Sequence, residues 1–155
     1  MKVLMVEPDK IAYEAEIGER LDDLQKAVGG NIEVVYPYDD LVGLVCNEEG
    51  KIEGLPLNRA LKDNTGKVYD IIAGTFFVCG LSEDNFASLS FELMTKYKKK
   101  FLYPQIFMKC GSEIFAIEDR PSLAELMSRA KEKADNPKIH CDPNRKGMGQ
   151  DLGRQ

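Results

Sequence analysis

The polar residues best placed for chemistry lie within residues 46–80, the most apolar part of the sequence. Asn58 and Arg59 separate two apolar blocks, and the second block begins at Asp70 and contains Thr75. An arginine side chain can bind an anionic ligand, or it can pair with a carboxylate of the same chain. The sequence therefore predicts a polar cluster that either holds a ligand or braces the fold.

The local sequence favours the structural interpretation of this cluster. Arg59 and Asp70 flank a short loop, so an ion pair between them could brace that loop against the strand that follows. Asn58 is expected to bind backbone groups and fix a turn, as short polar residues near turns often do. In the alternative interpretation, Asn58, Arg59 and Asp70 line a pocket for a small ligand or a nucleotide.

The cysteines and the histidine lack the spacing of a metal site. Consecutive cysteines are more than 30 residues apart, whereas zinc ligands usually come in close pairs. The cysteines are Cys46, Cys79, Cys110 and Cys141. His140, the only histidine, lies among prolines and glycines, where no third group would orient it as a base. We predict no metal site, no cofactor and no catalytic residue.

Phosphate binding and acid–base catalysis have equally little support. The sequence contains no Gly-x-x-x-x-Gly-Lys-Ser/Thr motif, and Gly66-Lys67 precedes a predicted strand instead of a helix. Adjacent acidic residues occur in predicted turns and helices, where carboxylates are usually solvated. These pairs are Asp22-Asp23, Asp39-Asp40, Glu48-Glu49 and Glu83-Asp84. The patterns favour a protein that is not an enzyme.

Composition is typical of one globular domain. The chain has 155 residues, of which 43% are hydrophobic and 30% charged, enough to bury a core without disulfides. Its net charge of −5 argues against nucleic-acid binding, which needs basic patches, and would suit a basic protein surface. No apolar run is long enough to span a membrane, and the N-terminus does not resemble a signal peptide. We expect a cytoplasmic protein with reduced thiols.

The elements that would position the polar cluster are mainly strands. Hydrophobic periodicity and turn residues predict strands at 2–7, 11–17, 32–36, 41–46, 51–55, 68–78, 106–110 and 113–118. Helices are predicted at 19–28, at 56–61 for one or two turns, at 82–85 for one turn, after Ser90, and after the capping box Ser122–Glu125. Gly74, inside the longest predicted strand, indicates a bulge or a close backbone approach.

These elements predict an α+β fold, mainly an antiparallel sheet with two or three helices packed on one face. Residues 1–134 are expected to form a single domain. Proline and glycine replace apolar residues after that point, so 135–155 is predicted to be a flexible C-terminal tail. An unpaired edge strand, at 2–7 or 113–118, could join two copies in a homodimer.

Four segments within residues 1–110 form a recognisable series. They are IEVVYP at 32–37, VCNEEGK at 45–51, GLPLNR at 54–59 and DIIAGTFF at 70–77. The series resembles a family of small domains of unknown function from gut Gram-positive bacteria, their conjugative elements and phages, whereas residues after 118 depart from it. Pro56-Leu57-Asn58-Arg59 and Gly74-Thr75 are its most specific parts. The resemblance implies an accessory protein of a mobile element that contacts a host or element-encoded protein.

Overall fold

Ten strands and two helices make up residues 1–120, the part of the chain that the computed structural model describes. The strands are β1 (Lys2–Val6), β2 (Tyr13–Glu16), β3 (Ile32–Val35), β4 (Val42–Asn47), β5 (Leu57–Lys62), β6 (Val68–Ala73), β7 (Phe76–Leu81), β8 (Phe86–Ala87), β9 (Gln105–Cys110) and β10 (Glu113–Glu118). The helices are α1 (Leu21–Val28) and α2 (Phe91–Phe101). The helix predicted after Ser122 and the predicted tail at 135–155 lie outside the described residues.

The main sheet contains six strands, in the order β2-β1-β7-β4-β3 with β8 also paired to β7. Every pairing in it is antiparallel. The predicted hairpin of the first two strands is confirmed as β1–β2. Together with the helices, this sheet confirms the predicted α+β class. The strand at 2–7 is not an edge, however, because β1 lies between β2 and β7.

The two helices lie on opposite faces of the main sheet, which corrects the expectation that they share one face. Successive side chains of a strand point to opposite faces. Val3 packs in the same buried cluster as Leu24 of α1, whereas Leu4 packs in the cluster that contains Met94 of α2. β1 is therefore buried on both faces, which explains why its residues 3–6 are all apolar.

The local sequence sets where both helices begin or end. Gly29 ends α1 in the left-handed conformation, at φ 80°, as glycine after a helix commonly does. The Ser90 Oγ accepts a hydrogen bond from the Leu93 N–H at 3.2 Å and caps α2. The predicted end of α1 at Gly29 and the predicted start of α2 at Ser90 are confirmed.

The segment predicted as one long strand, 68–78, is divided between two sheets. β6 pairs with β5 in a separate two-stranded sheet, whereas β7 belongs to the main sheet. Gly74 lies at the break with φ 83°, and a Cβ atom there would lie 2.7 Å from Leu55 Cδ1. The predicted close approach at Gly74 is therefore confirmed, and its left-handed backbone ends the strand.

Three other local predictions are wrong. Residues 56–61 do not form a helix, because 57–62 pair with β6 as strand β5. Residues 51–54 form turns instead of a strand, since the Leu55 N–H bonds to the Gly50 carbonyl and closes a compact loop. Residues 82–85 form the turn between β7 and β8, closed by a bond from the Ser82 N–H to the Asn85 carbonyl. Local propensity did not show the β5–β6 pairing, and the other two errors concern turns that close within five residues.

Candidate functional site

The Arg59 side chain is completely buried, at 0% exposure, and donates hydrogen bonds to three parts of the chain. Its Nε donates to the Phe101 carbonyl at 3.0 Å, and its Nη2 donates to the Lys10 carbonyl at 2.8 Å. Its Nη1 donates to Asn58 Oδ1 at 2.9 Å. Phe101 is the last residue of α2, where unpaired carbonyls favour a cation. Arg59 therefore joins β5 to the end of α2 and to the β1–β2 turn.

Asn58, the neighbour of Arg59 on β5, connects two other parts of the chain. Its Nδ2 donates to the carbonyls of Val6 and Gly74, both at 2.8 Å. These two bonds tie the end of β1 to the break between β6 and β7. The prediction that Asn58 binds backbone groups is confirmed, and its partners are distant in sequence.

Asp70 and Thr75 lie apart from this buried pair. The Asp70 carboxylate accepts from the Lys51 ammonium and from the Ile71 N–H. The predicted ion pair between Arg59 and Asp70 is therefore wrong, because Lys51 is the cation that meets this carboxylate. Thr75 is half-buried beside Gly74. Of the predicted cluster, the structure brings only Asn58 and Arg59 into direct contact.

Burial also determines the electrostatics of Arg59. Desolvation lowers the pKa of the guanidinium to about 10, and the negative charges of Glu118 and Asp9 oppose this shift. Within residues 1–120, no carboxylate lies at ion-pair distance from Arg59. Carbonyl oxygens therefore take the place of a counter-ion, and the guanidinium has no surface on which an anionic ligand could bind.

A small cavity of about 100 Å³ lies on the other side of Asp70, lined by Cys46, Asn47 and Lys51 among others. A cavity of this size holds a few water molecules. Burial raises the pKa of the Cys46 thiol to about 11, so this cysteine is a poor nucleophile. Residues 1–120 contain no group of three side chains that could hold a metal ion.

Several of the exposed apolar side chains of residues 1–120 are grouped on the hairpin of β9 and β10, a hairpin that the sequence predicted correctly. One face of the hairpin, which we call the outer face, carries four large apolar side chains that are 49–54% exposed. They form the cross-strand pairs Met108–Phe115 and Ile106–Ile117. Phe107 and Ala116 point to the opposite face and are half-buried. The apolar outer face is the feature that sequence reasoning missed.

A signal for the outer face was nevertheless present in the sequence. Residues 105–110 read QIFMKC and residues 113–118 read EIFAIE, so apolar residues occupy both faces of the predicted hairpin. A two-stranded hairpin at the side of a fold has one face to bury against the core. Apolar residues on both faces therefore predict that one of them remains available to a partner.

Comparison with known proteins gives one match. Residues 1–102 match the sequence model of a family described as a domain of unknown function (DUF3846). No curated protein and no solved structure matches the chain. The matched residues include Asn58 and Arg59 and end before β9. Neither helix in residues 1–120 is long and apolar enough to cross a membrane.

Proposed function

The chain belongs to the DUF3846 family, and we propose that it is a non-enzymatic interaction protein that acts by protein–protein contact. The observation that supports this proposal is the outer face of the β9–β10 hairpin. Its four side chains each expose roughly 100 Å², so the patch measures roughly 400 Å², a size that often marks a functional surface on a soluble protein.

The resemblance and the charge of the chain suggest the setting of this contact. We place the protein in the cytoplasm of gut Gram-positive bacteria that carry conjugative elements or phages, with a host or element-encoded protein as its partner. The net charge of −5 favours a basic partner surface over nucleic acid or an anionic membrane. A homodimer that forms through an edge strand is the alternative to a contact with a different protein.

A ligand- or nucleotide-binding domain is the second candidate function, and the buried position of Arg59 weighs against it. The arginine that would hold an anion already donates to carbonyls of the fold. The cavity beside Asp70 has a volume of about 100 Å³, smaller than the 300–1,000 Å³ usual for ligand pockets. We expect nucleotides and small anions to leave the melting temperature unchanged in a thermal-shift screen.

A paired set of variants tests the proposed contact. Met108→Thr combined with Ile106→Thr removes half of the outer face while keeping residues that favour strands. The matched control combines Ile52→Thr with Leu41→Thr, two exposed apolar residues in other parts of the structure. Immobilised full-length protein would be used to capture proteins from a lysate of the bacterium that carries the gene, at several salt concentrations.

The expected result is one captured protein that the wild type and the control retain and that the outer-face variant loses. Loss of about 1–3 kcal/mol of apolar burial corresponds to roughly a 5- to 150-fold weaker affinity, measurable with the purified partner. Capture that is equal for both variants, or no capture at any salt concentration, would contradict the proposal.

A further inference from the structure

A groove of about 430 Å³ runs beside β10, between this strand and the turn that joins β5 to β6. Five consecutive residues, 112–116, line it on one side. Ser112 lies in the turn before β10, and the other four residues belong to the strand. Successive side chains of a strand point to opposite faces, so four in a row can line one groove only if it follows the edge of the strand. β9 pairs along the other edge of β10, and of these two strands only β10 lines the groove.

An edge of this kind presents backbone groups to the groove. In an antiparallel pair, alternate residues of a strand direct their N–H and C=O groups away from the partner strand. Residues 112–116 therefore offer hydrogen-bonding groups to an extended segment that enters the groove. The five residues span about 17 Å, which suits a segment of four to six residues.

The walls of the groove define the side chains that such a segment should carry. Val68, Phe115 and Ala116 supply apolar surface. Lys62 and Lys67 line the opposite wall, are exposed, and form no ion pair within residues 1–120. The carboxylate of Glu113 also lines the groove, so the two ammonium groups leave one net positive charge beside an apolar floor. This charge complements a segment that alternates acidic and apolar residues.

We propose that the edge of β10 binds an extended acidic–apolar segment of a partner protein by β-strand addition. This inference rests on the proposed function, because it names the segment through which the partner enters the groove. The local charge of Lys62 and Lys67 selects this acidic segment, whereas the net charge of −5 acts on the rest of the partner's surface. A second copy of the chain fits the edge less well. Full pairing of two β10 strands about their centre would place Glu113 opposite Glu118 of the other copy, and like charges directly opposite each other destabilise a sheet.

Synthetic peptides test the inference with the full-length protein. The probe is a fluorescein-labelled peptide of alternating valine and glutamate, six residues long, and its binding is followed by fluorescence polarisation. The control peptides replace glutamate with lysine, or methylate the backbone nitrogens so that strand pairing is lost. Lys62→Gln with Lys67→Gln removes the basic wall, and Lys26→Gln with Lys99→Gln removes the same charge from exposed helix positions.

We expect the acidic peptide to bind the wild type and the helix control equally, and the groove variant at least 5-fold more weakly. Added salt should weaken binding to the wild type more than binding to the groove variant, because only the wild type forms ion pairs through Lys62 and Lys67 that salt can screen. The lysine peptide and the methylated peptide should not bind. Met108→Thr with Ile106→Thr, which changes the outer face, should leave peptide binding unchanged.

Several results would overturn the inference. They are the absence of acidic-peptide binding at millimolar concentration, equal binding of the lysine or methylated peptide, and equal binding by the groove variant. If the protein is also a dimer by light scattering and binds no peptide, the edge belongs to a second copy instead. Partner capture that depends on the outer face without peptide binding would leave the proposed function standing and refute only this inference.

Discussion

Replacing Arg59 with methionine tests whether the buried guanidinium holds the fold together. Methionine keeps an apolar stem of similar length but donates no hydrogen bond. The substitution therefore removes the donors to the carbonyls of Phe101 and Lys10 and to Asn58 Oδ1, at 3.0, 2.8 and 2.9 Å. These acceptors belong to three separate parts of the chain, so the end of α2 and the β1–β2 turn should both loosen.

The expected magnitude follows from these three acceptors. A buried acceptor left without a donor costs about 1–3 kcal/mol. Methionine also avoids the cost of burying a charge. That cost is indicated by the pKa of Arg59, which burial lowers to about 10. We therefore expect a net loss near the low end, about 3 kcal/mol in the free energy of unfolding. For a chain of this size, that loss lowers the melting temperature by about 6–12 °C.

Chemical and thermal unfolding, followed by circular dichroism, would measure this loss. Lys99→Met, on the exposed side of α2, is the matched control and should change the melting temperature by less than about 2 °C. Arg59→Lys keeps the charge, but a single ammonium cannot donate in three fixed directions, so an intermediate loss is expected. Full stability of Arg59→Met, or complete rescue by lysine, would refute the argument.

Two further predictions concern single positions. Gly74→Ala should lower the free energy of unfolding by about 1 kcal/mol more than Gly54→Ala does, as measured by thermal unfolding. Both glycines have positive φ, but only at Gly74 would the new methyl group crowd Leu55. Equal losses would show that this crowding is relieved at no cost. A hydrogen bond from Lys96, and to a smaller extent one from Tyr97, lowers the pKa of Asp40 below 3.8. The Asp40 carboxylate therefore stabilises the fold at pH values above 3.8, and this stabilisation is lost as the pH falls through the lowered pKa. The difference in melting temperature between the wild type and Asp40→Asn should therefore be constant from pH 5 to 7 and decrease below pH 3.8. A difference that increases below pH 3.8 would contradict the direction of the pKa shift.

The sequence predicted the parts of the fold that depend on local patterns. The α+β class followed from strand periodicity and short connections, and the hairpin of 106–110 and 113–118 followed from the turn residues Gly111-Ser112. The end of α1 at Gly29 and the close approach at Gly74 followed from the conformational freedom of glycine. In each case the deciding interaction lies within a few residues or is set by one backbone angle.

The errors at 56–61 and at Asp70 have a common physical cause, which is pairing with residues outside the local segment. Pro56 favours the first turn of a helix, but the strand β6 pairs with residues 57–62 and overrides that preference. Asp70 was expected to meet Arg59, whereas Lys51, on the preceding loop, reaches it instead. The oxygen partners of Arg59 lie 42 and 49 residues away, at Phe101 and Lys10. No local signal indicates that a helix end needs a cation from another strand.

The position of β1 between β2 and β7 in the main sheet has a consequence for protein synthesis. β1 is synthesised before β7, and Val6 pairs with Phe76, a residue translated 70 positions later. At about 5–20 residues per second, the ribosome needs several seconds to supply β7. During that time one side of an apolar strand stays unpaired in the nascent chain. We expect chains truncated before β7 to aggregate, and chaperones that shield short apolar strands to raise the yield of the folded protein.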